Sequence, residues 1–186
     1  MNYGNIKKLA IEDGIGCRTA LFVSGCRHHC KGCFQPQTWN FDFGQEFTKE
    51  TEAEIIDSVS PSYVDGLTVL GGEPFEPENQ VVLNKFSKKF KKACPDKTIW
   101  MYSGYTFEEL TDPNNKRCHT KDTMQILKRI DVLVDGEFVE EKKNLMIPFR
   151  GSSNQRVLDV PASLKAKAAV LSEYNDRKTT NPNKKV

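Results

Sequence analysis

The 186 residues suffice for one domain with a real hydrophobic core and are too few for two comfortable ones. A 38% hydrophobic and 28% charged composition, with mean hydropathy −0.56, is that of a soluble globular chain. The net charge of +2 offers no argument for a nucleic-acid surface, and no apolar run reaches the roughly 20 residues that a membrane span needs. The opening MNYGNIKKLAIEDG lacks the charged-then-apolar layout of a secretory signal, so the expected setting is the cytoplasm, where cysteines stay reduced.

Taken in order, TALFV (19–23) is a short apolar run that reads as a buried strand and ends in SGC. Residues 48–59 read as a helix, with Thr51 and Glu54 at capping-box spacing and Ile55, Ile56 and Val59 on one face. LTVL (67–70) is the next strand and stops on Gly71 and Gly72. Residues 78–94 form an amphipathic helix, with Val82, Phe86, Phe90 and Ala93 opposite many lysines, and Pro95 ends it. TIWMY (98–102) is a third strand, and Thr106 with Glu109 caps a short helix over 106–110. Residues 111–121 have a loop composition, 121–130 are amphipathic, and DVLVDG (131–136) is another strand with a turn. A last strand is expected over 156–160 and a last helix over 161–171. Residues 1–171 make the predicted domain, and 172–186 a polar tail expected to be disordered.

Strands alternating with helices imply right-handed βαβ units and a mainly parallel sheet. A full eight-fold barrel typically takes about 250 residues. The expectation is therefore an α/β fold built as a partial β/α barrel, open at one side. Chemistry in parallel sheets gathers at the C-terminal strand ends. Both SGCRHHCKGC and GGEP follow predicted strands and are expected on that one rim.

The stretch CRHHCKGC (26–33) holds three of the six cysteines and two of the three histidines. Zinc wants four protein ligands, usually as two separated pairs, and here Cys26, Cys30 and Cys33 crowd at C-x3-C-x2-C. His28, His29, Cys94, Cys118 and His119 are the available fourth ligands, and no distant one belongs to a partner pair. An iron–sulfur cluster with four cysteine ligands meets the same difficulty. The remaining possibility is three cysteines on three irons, with the fourth iron open to a small molecule. Gly25 and Gly32 suit it by letting the main chain come close to the sulfides.

C-x3-C-x2-C followed about forty residues later by a strand ending in GGEP resembles the radical S-adenosylmethionine superfamily. That superfamily often has an aromatic residue before the last cysteine, where this chain has Gly32. The departure fits one branch. GCRHHCKGCFQPQTW, LTVLGGEPFEPEN, IWMYSGYTFEEL, DVLVDGEFVEE and PFRGSSNQRVLDV, in this order between Tyr3 and Val160, look like the activating proteins of anaerobic ribonucleoside-triphosphate reductase.

The resemblance implies that Cys26, Cys30 and Cys33 ligate a [4Fe–4S] cluster whose open iron is chelated by S-adenosylmethionine. It implies that Gly32 and Phe34 line the cofactor, and that Gly71, Gly72 and Glu73 meet the methionyl amine. Glycine carbonyls approach an ammonium closely and Glu73 adds negative charge; an ordinary strand-to-helix turn is the plainer reading of GGEP. The reaction implied is one-electron cleavage to methionine and a 5′-deoxyadenosyl radical. That radical takes a hydrogen atom from a glycine of the large glycyl-radical subunit of the anaerobic ribonucleotide reductase. The implied electron donor is reduced flavodoxin or a similar carrier; neither nucleic acid nor membrane is an expected partner.

His28 matches the branch's C-x-H-x-C pattern and is expected to hydrogen-bond behind the ligands, and His29 to be exposed. Asp135 stands at a strand end, either meeting the cofactor ribose or serving as a turn aspartate. Arg150 either contacts the cofactor carboxylate or the partner, or packs on an aromatic ring. Cys17, Cys94 and Cys118 read as free thiols. SGY (103–105) is similar to a glycyl-radical segment, but the chain is too short for that enzyme and Gly104 is not expected to carry the radical. The competing functions are another short radical S-adenosylmethionine protein (a different activase or a deazaguanine-forming synthase), a small iron–sulfur electron carrier, and a zinc-binding adaptor.

Overall fold

The computed structural model describes residues 1–175. Seven strands form one open sheet: β1 (Asn2–Ala10), β2 (Arg18–Val23), β3 (Gln45–Glu46), β4 (Gly66–Gly71), β5 (Thr98–Tyr102), β6 (Val132–Asp135) and β7 (Arg156–Asp159). Their order is β3-β1-β2-β4-β5-β6-β7. The helices are α1 (Lys49–Val59), α2 (Pro77–Ala93), α3 (Phe107–Thr111), α4 (Thr123–Leu127) and α5 (Val160–Ala166).

The pairings β2–β4, β4–β5 and β5–β6 are parallel, while β1–β2, β1–β3 and β6–β7 are antiparallel. The expected mainly parallel sheet is thus confined to its centre. Connection length explains the difference. A parallel return needs a crossover of a dozen or more residues, usually a helix. Only residues 11–17 separate β1 from β2, and the stretch between β6 and β7 holds no α-helix.

Strand alternation assigns the two faces. Leu21, Val23, Leu67, Val69, Ile99, Met101 and Leu133 point into the main core with Ile55, Leu83, Phe86, Phe90, Ile126 and Val160 from the helices. The opposite face holds a smaller apolar cluster, Trp100, Val132, Val134 and Val157, on which Phe149 and Tyr174 pack. Phe22, Leu70 and Tyr102 share that second face near the C-terminal ends of their strands, and among the described residues no α-helix lines the cavity beside them.

Two helix boundaries differ from expectation. The capping box of α1 is Thr48 with Thr51, because Thr48 is where the first unpaired N–H groups of the helix need an acceptor. The final helix ends at Ala166, and Lys167 takes a left-handed conformation that turns the chain back toward β7. Thr106 and Glu109 do form the box at α3. Order continues past 171: Ser172 N–H donates to Val157 O, and the Asn175 amide accepts from Val157 N–H. The rest of the expected disordered tail lies outside the described residues.

Candidate metal centre and cofactor cavity

The cysteine loop leaves β2 at Ser24 and returns at residue 40, and backbone bonds pinch it shut at the base. Gly25 N–H donates to Thr38 O (2.8 Å) and Cys26 N–H to Trp39 O (3.2 Å). Gly25 has φ +95°, and a Cβ there would lie 2.4 Å from the Phe41 ring, so only glycine fits the pinch. Cys33 N–H closes a turn on Cys30 O (3.1 Å), and Gln35 N–H reaches Cys33 Sγ at 3.4 Å, the kind of donor that tunes a bound cluster.

The GGEP turn docks on this loop. Gly72 N–H donates to Val23 O (2.7 Å) and Glu73 N–H to Gly25 O (2.8 Å), carrying the β2–β4 ladder beyond the strands. A Cβ on Gly72 would fall 2.6 Å from Gly25 O. Asn79 of α2 bridges the junction through its amide, donating to Ser24 O and Glu73 O. Gly71, Gly72, Cys30, Cys33 and Phe34 all line one cavity of about 810 Å³, floored by Phe22, Leu70 and Tyr102. Its other walls come from β1 and the following loop (Asn5, Lys7, Glu12, Asp13) and from the segment before β7 (Phe138, Phe149, Gly151). Phe34 is 61% exposed and packs its ring against Phe138.

Two of the residues expected at the cofactor make bonds within the fold. Glu73 is buried, and its carboxylate accepts from Phe75 N–H (2.8 Å), Ser103 Oγ–H (2.9 Å) and Gly104 N–H (2.7 Å). It ties the ends of β4 and β5 together. Asp135 is also buried, receiving Phe107 N–H (2.7 Å) and the Arg156 guanidinium (2.9 and 2.5 Å). Burial raises its carboxyl despite those donors. Both oxygens are engaged by the first turn of α3 and by Arg156 of β7.

The charges behind the loop were not legible as a group in the sequence. Glu76, buried, accepts from Arg27 N–H and guanidinium at 2.8 and 2.5 Å, and that guanidinium lies 4.3 Å over the Phe41 ring. His28 sits between Glu73 and Glu137; burial opposes its charge, but the two carboxylates outweigh burial and raise its pKa. His29 is exposed and stacks on Trp39. Arg150 lines the cavity and also bonds the Asn175 amide oxygen. The SGY segment is explained by packing: Ser103 and Gly104 bind Glu73, and Gly104 lies against His28. Sequence offers one signal for it, a Ser-Gly pair directly after a strand.

Three thiols on one short loop fit a cluster held at three corners. Cys94 and Cys118 are buried in the main core, and Cys17 precedes β2, at the opposite strand end from Cys26. Burial pushes the Cys26 thiol up to about 12 and raises that of Cys30. Metal entry must therefore displace protons from them.

An open α/β sheet with these cysteines on the rim of its parallel strands is the setting of an iron–sulfur protein of single-cluster type, the class its sequence profile gives. The sequence profile of the 4Fe-4S single cluster domain accordingly matches residues 12–158. The chain is 41% identical over 157 residues to the anaerobic ribonucleoside-triphosphate reductase-activating protein of Pasteurella multocida, covering 83% of this chain and 95% of that one. It is 38% identical to the proteins of the same name from Vibrio cholerae (83% and 96% covered) and Escherichia coli K12 (84% and 97%). The chain belongs to the family of anaerobic ribonucleoside-triphosphate reductase-activating proteins.

Proposed function

We propose that this chain activates an anaerobic ribonucleoside-triphosphate reductase by generating a glycyl radical on it, with a [4Fe–4S] cluster and S-adenosylmethionine as cofactors. The observation that carries the reading is the shared cavity, in which Cys30, Cys33 and Phe34 face the glycine turn of β4. Cys26, Cys30 and Cys33 hold the cluster, which when bound supplies the electron that cleaves the sulfonium. The Gly71 and Gly72 carbonyls orient the methionyl amine, and no described residue donates to Gly72 O. Phe34 and Gly32 flank the cofactor. Phe22, Leu70 and Tyr102 keep the floor of the reaction chamber apolar and limit water there.

The partial-barrel curvature belongs to the same reading. Support comes from the cavity walls, since Asn5 on β1 and Gln155 beside β7 line one space from opposite sides of the sheet. A cavity open between those edges admits a loop of a second protein. That loop is the glycine-bearing segment of the large reductase subunit, and a reduced flavodoxin or similar carrier supplies the electron in the cytoplasm. Among the described residues no helix is long and apolar enough to cross a membrane. The test is anaerobic reconstitution with iron and sulfide, reduction, and addition of S-adenosylmethionine. 5′-Deoxyadenosine should form with the parent chain and not with Cys26→Ala, Cys30→Ala or Cys33→Ala.

A further inference from the structure

The cysteine loop is joined to three strand ends through a single side chain. His28, between Cys26 and Cys30, is 4% exposed at its imidazole. Nδ1 donates to Glu137 Oε1 at 2.6 Å, just beyond β6. Nε2 lies 3.2 Å from Glu73 Oε2, just beyond β4, off the line of a hydrogen bond. The ring packs on Tyr105 at a centroid separation of 4.4 Å, and a methyl group on Gly104 would come within 2.7 Å of it. Tyr105 and Gly104 follow β5.

Each imidazole nitrogen faces a carboxylate, so neither is available to iron. The ring instead works as a crossbar. We propose that His28 is a positioning residue that fixes the cysteine loop against the ends of β4, β5 and β6, so that the thiols keep their spacing when iron enters. The inference rests on Cys26, Cys30 and Cys33 being the cluster ligands. Two neighbouring contacts run along the same seam: Lys31 Nζ meets Glu140 Oε2 at 3.0 Å, and the Phe34 ring packs on Phe138 at 5.4 Å. Of these three contacts, His28 supplies the buried one. Glu73 keeps three other donors without it, so the turn of β4 survives its removal.

The experiment compares His28→Ala, His28→Asn and Glu137→Ala with the parent chain after anaerobic cluster assembly. Release of iron to a ferrous chelator is followed, together with the spectrum of the reduced cluster and the melting temperature. Partners standing behind metal ligands typically contribute about 10–100-fold to metal affinity, so His28→Ala should release iron faster by that order. His28→Asn, which retains a donor near the Nδ1 position, should recover most of the difference. The double variant His28→Ala/Glu137→Ala should release iron no faster than His28→Ala, because both act through one bond. Release from His28→Ala at the parent rate, or losses that multiply in the double variant, would overturn the positioning role. A parent chain that takes up no cluster would overturn the ligand reading along with it.

Discussion

The main-chain N–H of Glu73 donates to the carbonyl of Gly25 at 2.8 Å, a direct backbone bond between the turn of β4 and the cysteine loop. It extends the parallel pairing of β2 with β4 past the end of both strands. The glycines around it are therefore required for close approach of two backbones as well as for any ligand.

Gly72→Ala tests that closeness. The added methyl would lie 2.6 Å from Gly25 O and 3.1 Å from Thr38 O, both main-chain atoms that cannot swing aside. Overpacking of this kind costs about 1–3 kcal/mol. The expected outcome is a lower thermal midpoint together with weakened S-adenosylmethionine binding by calorimetry. Unchanged binding in a destabilised variant would separate the packing role from the ligand role.

The thiols divide into two groups. Cys30→Ala should abolish cluster uptake, measured as iron and sulfide per chain, because Cys30 lines the cavity. Cys94 is 6% exposed in the main core, so Cys94→Ala should cost about 1 kcal/mol of packing and leave the cluster intact. Equal loss of iron in both variants would point to a four-cysteine site.

Asp135 should matter to the fold and not to the cofactor. Asp135→Asn weakens the bonds from Arg156 and costs about 2 kcal/mol, the scale of a hydrogen bond to a charged group. Urea denaturation should show that loss while S-adenosylmethionine affinity stays at the parent value. A specific loss of affinity at unchanged stability would restore the ribose contact.

The partner of Asp135 also sets a pH dependence. Hydrogen bonding to the Arg156 guanidinium holds the Glu108 carboxyl below its ordinary 4.5. A depressed carboxyl contributes stability that is fully present above 4.5 and lost as the pH falls through its lower folded value. Glu108 is mostly exposed, so screening keeps this contribution below about 1 kcal/mol. Asp135 acts in the opposite sense, its carboxyl raised by burial, so the Glu108→Gln variant is needed to isolate the effect. Urea midpoints between pH 3 and 7 should fall less steeply on the acid side in Glu108→Gln than in the parent.

What the sequence revealed divides along local and non-local lines. The strands β2, β4, β5 and β6 announce themselves as short apolar runs, and the motifs that follow β2 and β4 carry their chemistry in adjacent residues. β1 is not evident in the sequence because NYGNIKKLA has neither an apolar run nor clean alternation, and two irregularities interrupt its pairing with β2. The antiparallel return of β7 depends on what the stretch after β6 does, which composition does not reveal. Glu73 and Asp135 both stand out in the sequence by the motifs that hold them. Their partners, Ser103 and Arg156, lie 30 and 21 residues away, and only folding brings them together. The alternation of strands and helices implies a mainly parallel sheet, yet it is silent about edge strands joined by short or irregular connections.

The central claim is tested most directly by electron paramagnetic resonance on the reductase subunit. The reconstituted, reduced chain is mixed anaerobically with S-adenosylmethionine and the large reductase subunit. The expected result is a doublet glycyl-radical signal on the reductase, with 5′-deoxyadenosine formed alongside it. An intact cluster that cleaves S-adenosylmethionine yet leaves the reductase without that doublet would contradict it.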